Sequence, residues 1–279
     1  MRRLAGGIAT AISGLACASA VAADLPTKKA SPAPIVAPAI PSSWQFEVTA
    51  YGWASSVAGQ AGFGSFPSQE YYAPFSKLLE HLEGGLMGSV TARNDTFIFG
   101  LDAIWTKLGG GGTILRRDSA LFGGSTELVL TEAIVTAFGG VRIPLPIPNL
   151  ELYGTAGARY YNSGTTISIS NIYGIGASQS VNKDWIMPVA GFAANYRFDD
   201  RWFMNVFADL GGWSDSATGQ ALASIGYKWT PNIATTLGYR VMYTYERQEA
   251  GFDWISFQPA SFRYQQWMYG PFAGLKFTF

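Results

Sequence analysis

The sequence contains one histidine, His81, and its neighbours decide whether it could support catalysis. Glu80 and Glu83 stand beside it, but no His-x-Ser or His-Asp pair does. A histidine base needs a nucleophile or an acid within hydrogen-bond reach, and a zinc site needs several ligands. The glycine run at 109–112 lacks the Lys-Ser/Thr sequel of a phosphate-binding loop. We therefore expect no catalytic, cofactor-binding or metal-binding residue, and a protein that is not an enzyme.

Charged residues that stand singly in otherwise uncharged segments form a second candidate site. Five of them fall near the middle of their segments: Asp102, Glu132, Arg159, Asp209 and Arg240. A lone buried charge is costly, so opposite charges at one depth predict pairing. Two functions fit, a selectivity ring in a pore or a salt-bridged plug that fills a narrow lumen. The plug is our expectation, with Glu132 pairing with Arg159 because the turn at 144–149 joins their segments.

Alternation of apolar and less apolar residues defines the elements that position these charges. Between Trp202 and Leu210 every second residue is apolar, whereas Asn205 and Asp209 lie on the opposite face. Ten such segments are predicted, at 44–55, 83–93, 97–108, 126–143, 150–163, 184–198, 202–213, 219–228, 233–245 and 266–279. Their second face is mostly Gly, Ser, Thr and single charges, which suits the interior of a membrane barrel. The predicted fold is an all-β, membrane-spanning antiparallel up-and-down β-barrel of about ten strands, with eight or twelve as alternatives.

The connections between these segments alternate in length. Short turns are predicted at 94–96, 144–149, 199–201 and 229–232, and longer links at 56–82, 109–125, 164–183, 214–218 and 246–265. Outer-membrane barrels have short periplasmic turns and long external loops, so the longer links are expected outside the cell. Further charges should line the periplasmic rim: Glu47, Arg93, Arg142, Glu151, Arg197, Lys228 and Lys276.

Two smaller features of these connections are predicted. Phe75, Leu78, Leu79 and Leu82 have the spacing of one helical face, so a short helix is expected in the first external loop. Aromatic residues at strand ends predict two girdles at the membrane interfaces, with Trp53 in the outer one.

Composition supports a barrel and excludes other classes. The chain has 279 residues, with 19 Lys and Arg balanced by 19 Asp and Glu, and aromatic residues make up 15%. The balanced charge argues against an electrostatic nucleic-acid binder, and the aromatic content argues against disorder. A helical membrane protein needs repeated spans of about 20 apolar residues. The one uncharged run of that length lies at the N-terminus.

That N-terminal run predicts secretion. Arg2 and Arg3 precede it, and Ala20-Val21-Ala22 is typical of a cleavage site. We expect a signal peptide at 1–22 that is cleaved after Ala22, a Pro-rich periplasmic leader at 23–43, and an outer-membrane barrel at 44–279. A retained anchor and a lipoprotein attached through Cys17 are the alternatives.

The chain ends on an alternating strand whose last residues include Phe277 and Phe279. A terminal Phe, with aromatics at steps of two, looks like the assembly signal of bacterial outer-membrane proteins. The alternative is an ordinary last strand.

Four further pieces carry a family resemblance: WQFEV at 44–48, FSKLLEHL at 75–82, ADLGGW at 208–213 and LGYR at 237–240. With the leader and the last strand, they resemble a poorly characterised, porin-like family of small outer-membrane β-barrel proteins from rhizobia and related proteobacteria. The motifs are short, although the likeness covers most of 44–279. The resemblance implies a barrel in the outer membrane of a Gram-negative bacterium, and no established activity.

The expected function is a structural or surface role with limited passage of small solutes. A conducting porin is the alternative, and an outer-membrane enzyme acting through His81 is the second alternative. Expected partners are the lipid bilayer, lipopolysaccharide and the outer-membrane assembly machinery, with no nucleic acid and no cofactor. The sequence leaves the oligomeric state open.

Overall fold

The computed structural model describes residues 44–63, 69–111, 124–171, 176–253 and 258–279. The predicted signal peptide and leader lie outside these residues. The elements are β1 Gln45–Trp53, β2 Ser56–Phe63, β3 Gln69–Ala73, α1 Phe75–Glu80, β4 Leu82–Arg93, β5 Phe97–Gly111, β6 Gly124–Ile143, β7 Leu150–Asn171, β8 Gly176–Arg197, β9 Trp202–Trp213, β10 Ser216–Lys228, β11 Ile233–Asp253 and β12 Gln258–Thr278. None of the helices in this part of the chain has the length and apolar character needed to cross a membrane.

The strands form one closed antiparallel sheet. From β4 to β12 each strand pairs with the next in sequence, and β1 pairs with both β4 and β12, which closes the ring. Closure leaves the ring without an open edge, so each spanning strand finds its backbone partners within the protein, as a bilayer requires. The described residues therefore form the predicted membrane-spanning barrel.

Among the described residues the wall has ten strand positions, although twelve strands are present, because β1 with β2 and β3 with β4 each occupy one position. We call each strand position a stave. β2 continues β1 along the same partner, since Trp53 faces Phe272 and Ser56 faces Tyr269. Opposite this stave, Ala50 faces Gly88 and Val57 faces Ala73.

The second stave, β3 with β4, is longer than the first by the segment from Pro74 to His81, which is not paired in the sheet and carries α1. Two hydrogen bonds anchor this segment, from the Phe75 amide to Ser56 Oγ (3.1 Å) and from the Gly109 amide to the His81 carbonyl (2.9 Å). The predicted short helix is confirmed.

One end of the barrel carries the start of β1, the end of β12 and the short turns. We call it the turn end, and the opposite end the loop end. Side chains that mimic backbone acceptors fix these turns. Asn94 Oδ1 accepts from the amides of Thr96 and Phe97, at 2.8 and 2.6 Å. Asp199 Oδ1 accepts from those of Arg201 and Trp202 in the same way, at 2.7 and 2.6 Å.

The two faces of the wall differ as the alternation predicts. Leu210, Leu237 and Ile186 are exposed on the outer face, whereas Thr136 and Asp209 are buried inside. A bilayer would cover the apolar outer face. The polar residues that remain inside must then find partners within the lumen.

The interpretation of the longer links as loops is wrong for much of their length. β7 and β8 run together as far as the pair of Ser170 and Gly176, and β11 reaches Asp253. Beyond the predicted segments, these parts of β7 and β8 are rich in small polar residues, as in the hydrogen-bonded pair Thr166 and Ser180 (3.0 Å). The content of Gly, Ser and Asn favoured a loop there, although Ile167 and Ile169 still alternate with Ser168 and Ser170.

Candidate functional site

Four of the five predicted mid-depth charges meet inside the barrel, each turned inward by the alternation of its strand. They are Asp102 on β5, Arg159 on β7, Asp209 on β9 and Arg240 on β11. The register sets their height, because Asp102 faces Thr136 and Thr136 faces Arg159 across the neighbouring pairs. With Gln220 on β10, these four residues form what we call the lumen network.

Arg159 is the most buried member of the network, with a relative exposure of 0%. Its guanidinium binds both carboxylate oxygens of Asp209, at 2.8 and 2.6 Å. The same group donates to the hydroxyls of Thr136 (2.9 Å) and Thr218 (2.8 Å). Such charge-assisted bonds, made on every side of a buried arginine, offset much of its desolvation cost.

Arg240 is the second buried arginine of the network, with a relative exposure of 1%. It donates to Asp102 Oδ2 (2.7 Å), to Gln220 Oε1 (2.7 Å) and to the Tyr51 hydroxyl (2.9 Å). Its guanidinium carbon lies 5.2 Å from the centre of the Trp53 ring, within cation–π range. Each arginine therefore has its own carboxylate.

Gln220 joins the two ion pairs into one network. Its Nε2 donates to Asp209 Oδ2 (3.0 Å), while its Oε1 accepts from Arg240. Thr136, Thr218 and Tyr51 complete the network. With Gln220 they are four neutral residues that the pattern of charges did not predict. Tyr51, Thr136 and Gln220 lie on the inward phase of predicted strands, whereas Thr218 lies in the link predicted at 214–218. Neutral polar residues are common in barrel lumens, so their position alone did not identify them.

A layer of apolar side chains covers the network on its loop-end side. Ile104, Ile134, Tyr161 and Met242 are almost fully buried, and each lies two residues along its strand from a residue in or beside the network. The cluster continues into Trp53, Trp185, Met187, Tyr264, Met268 and Phe272. Tyr161 stacks on Trp185, with ring centres 5.3 Å apart. The lumen at this depth has the composition of a protein core.

Trp53 corrects the predicted outer girdle. Its side chain is buried in the lumen, and its indole N–H donates to the Gly270 carbonyl at 3.1 Å. Trp213, at the end of β9, lies on the surface instead. Trp53 ends β1 on the same phase as Glu47 and Tyr51, so its inward direction follows from the alternation itself.

Glu132 does not pair with Arg159, and the predicted pair is wrong. Glu132 faces Ser163 in the register, and Arg159 faces Thr136, four residues along β6. Glu132 instead accepts from Gln266 Nε2 at 3.0 Å and from the Tyr264 hydroxyl at 3.3 Å. The pair was predicted from the register of two adjacent strands, whereas Arg159 binds Asp209, which lies two strands further round the barrel.

The rim charges predicted for the periplasmic side gather at the turn end. Glu47 pairs with Lys276 (2.9 Å) and with Arg93 (3.0 Å). Glu151 lies between Arg93 and Arg197, at 3.8 and 3.9 Å. Arg142 pairs loosely with Asp95 at the adjoining turn, at 3.8 Å. Between these charges and the lumen network lies a cavity of about 180 Å³, which the apolar layer separates from the loop end.

His81 stands apart from the lumen network, at the end of α1. Its Nδ1–H donates to the Lys77 carbonyl at 3.0 Å, and Lys77 pairs with Glu80 on the same helix. Within the described residues, no group of three or more His, Cys, Asp or Glu side chains is placed to hold a metal ion.

These observations define a class: a ten-stranded outer-membrane β-barrel fold with buried ion pairs and an apolar layer in its lumen. The outer-membrane protease OmpT of Escherichia coli has a similar fold, with a TM-score of 0.57, 13% identity, and coverage of 86% of this chain and 98% of that one. At that identity the likeness concerns the fold alone.

Other barrels are similar at lower scores. The translocator domain of the autotransporter NalP from Neisseria meningitidis gives a TM-score of 0.38, with 13% identity over 83% of this chain and 88% of that one. Ail of Yersinia pestis gives 0.32, with 13% identity over 85% and 99%. TM-scores this low do not establish a shared fold. No protein-family model and no curated protein sequence matches the chain.

Proposed function

We propose that the protein is a closed barrel of the outer membrane with a structural or surface role, whose lumen is a packed core and not a solute path. One observation carries the proposal: Arg159 and Arg240 lie inside the barrel with relative exposures of 0% and 1%. Water in an open channel would reach such arginines. The apolar layer beside them is a second obstacle, because an ion crossing it would lose its hydration.

Conductance across a planar lipid bilayer tests this proposal. The purified barrel should give no steady channel steps, and liposomes that contain it should not swell in small sugars. The variant Arg159→Ala removes the most buried side chain of the lumen network. Its conductance shows whether that network is part of the barrier. Steady conductance of the unmodified protein would overturn the closed barrel and favour the porin alternative.

The proposal includes limited solute passage only as a transient event. The cavity of about 180 Å³ ends at the lumen network, so a small solute could enter from the turn end without crossing. Passage would require the two ion pairs to separate, which is costly for buried partners.

We further propose that the chain is not an enzyme. His81 uses its Nδ1–H on a carbonyl of its own helix, which supports a local capping role. Replacing His81 with Ala should leave any surface property of the cells unchanged. Loss of a hydrolytic activity in that variant would favour the enzyme alternative.

Location and partners complete the proposal. A signal peptide cleaved after Ala22 would deliver the chain to the outer membrane of a Gram-negative bacterium, among phospholipid and lipopolysaccharide, with the turn end in the periplasm. The exposed, alternating Phe277 and Phe279 support recognition by the assembly machinery. The resemblance to porin-like barrels of rhizobia and related proteobacteria supports the same location.

A further inference from the structure

The turn end of the barrel holds a second cavity with an excess of positive charge. Its volume is about 70 Å³, and its wall includes Arg93, Arg197, Lys228 and Lys276 but only two carboxylates, Glu47 and Glu151. Neutral hydrogen-bonding groups of Gln45, Asn195 and Thr278 also line it.

The two carboxylates do not neutralise the four cations. Glu47 is shared by Lys276 and Arg93, at 2.9 and 3.0 Å. Glu151 lies at the longer distances of 3.8 Å from Arg93 and 3.9 Å from Arg197. Four cations against two carboxylates leave an excess of two positive charges in the wall.

Lys228 is the clearest case of this excess. In the part of the chain that the structure describes, no carboxylate oxygen lies within 4 Å of its ammonium. The ammonium lies 5.9 Å from the centre of the Phe203 ring, and Lys276 approaches the same ring at 4.9 Å. These two ammonium groups repel each other. Glu47 offsets the repulsion only in part, because it is shared by Lys276 and Arg93, so a further anion would stabilise the group.

Nearby acidic residues do not supply that anion. Asp95, Asp199 and Asp200 are exposed on the turns and are absent from the cavity wall. The sequence of 23–43 contains one acidic residue, Asp24, against two lysines, so this segment brings no net negative charge.

We propose that this cavity binds a doubly charged oxyanion of the phosphate class. A dianion matches the excess of two charges, and guanidinium and ammonium groups are the side chains that bind phosphate oxygens. A single water needs about 10–15 Å³ of cavity, so about 70 Å³ holds a group of the size of phosphate. The phosphodiester of a phospholipid carries one charge and is substituted on two sides, which suits this cavity poorly.

Thermal unfolding of the mature barrel in a neutral detergent tests the proposal. Inorganic phosphate should raise the melting temperature saturably at pH 7.5, beyond the effect of sodium chloride at equal ionic strength. Equilibrium dialysis with radioactive phosphate should give one site per chain. In Lys228→Gln the apparent affinity should fall about tenfold or more, the effect of losing one charge-assisted bond.

Two further variants make the result specific. Arg197→Gln, at the same cavity, should weaken phosphate binding as well, and it carries the test if Lys228→Gln does not fold. Lys107→Gln is the matched control, because Lys107 pairs with Glu83 away from this cavity (2.7 Å), and it should keep the full response.

Three results would overturn the proposal: an equal response to chloride, no bound phosphate in dialysis, or an unchanged affinity in both cavity variants. Dihexanoyl phosphatidylglycerol below its micellar concentration is the lipid arm and should have no effect. If it stabilises the barrel as well as phosphate does, the site recognises a lipid headgroup and the assignment to a free dianion is wrong.

Discussion

Replacing Arg159 with Gln should be among the most damaging single changes in the barrel. The substitution removes the guanidinium that binds both oxygens of Asp209 and leaves that carboxylate, 3% exposed, with Gln220 as its remaining network partner. Breaking one side of a buried ion pair typically costs roughly 3–5 kcal/mol. We expect the upper half of that range, because Thr136 and Thr218 also lose the donors that their hydroxyls accept from.

Guanidinium-driven unfolding from lipid vesicles measures this loss as a change in the free energy of unfolding. Lys107→Gln is the control, since the Lys107–Glu83 pair has exposures of 43% and 38% and should be worth about 0–1 kcal/mol. Asp209→Asn in the Arg159→Gln background should cost much less than it does alone, because the two residues act as a unit. If Arg159→Gln costs no more than Lys107→Gln, the lumen is wet at this depth and the packed core is refuted.

Three further predictions follow from other parts of the barrel. Glu132→Gln should change the free energy of unfolding by less than about 1 kcal/mol, because no cation among the described residues forms an ion pair with Glu132; a loss as large as that of Arg159→Gln would contradict this. Deleting Phe279 should lower the amount of barrel in the outer membrane although the buried area lost is worth only about 2 kcal/mol, and normal levels in fractionated membranes would refute the assembly signal. Backbone N–H bonds lower the pKa of Asp199 below its ordinary value of 3.8, so its contribution to stability is present above that pH and is lost as the pH falls through the folded-state pKa. Asp199→Asn should remove that part of the acid dependence, which melting curves at pH 2–5 would detect.

The barrel itself was predictable because membrane strands carry a strong local signal. Each stave must present an apolar face to lipid, so alternation located β9 at its observed bounds of Trp202–Trp213. The same signal placed Asp102, Arg159, Asp209 and Arg240 inside the barrel. The signal is shorter and more polar where a strand leaves the apolar belt, so the hairpins of β7–β8 and β11–β12 were predicted as loops.

The partners within the lumen were not predictable from register. Arg159 and Asp209 are on strands β7 and β9, with β8 between them, and their contact depends on how the closed wall curves. Local pairing rules describe neighbours on adjacent strands, so they suggested Glu132. The helix α1, by contrast, was predictable, because the spacing of its apolar residues is a local property of the sequence.

The uneven height of the wall has a consequence for how the barrel meets large molecules. β7 and β8 have 22 residues each, whereas β9 has 12. At about 3.3 Å per residue and a tilt of about 40°, the longer pair rises about 55 Å, roughly twice the apolar band of a bilayer. Most of what stands clear of the lipid there is paired backbone, which a protease cannot draw into its cleft as a single extended segment. Protease added on the loop-end side should therefore leave the paired residues of β7 and β8 uncut.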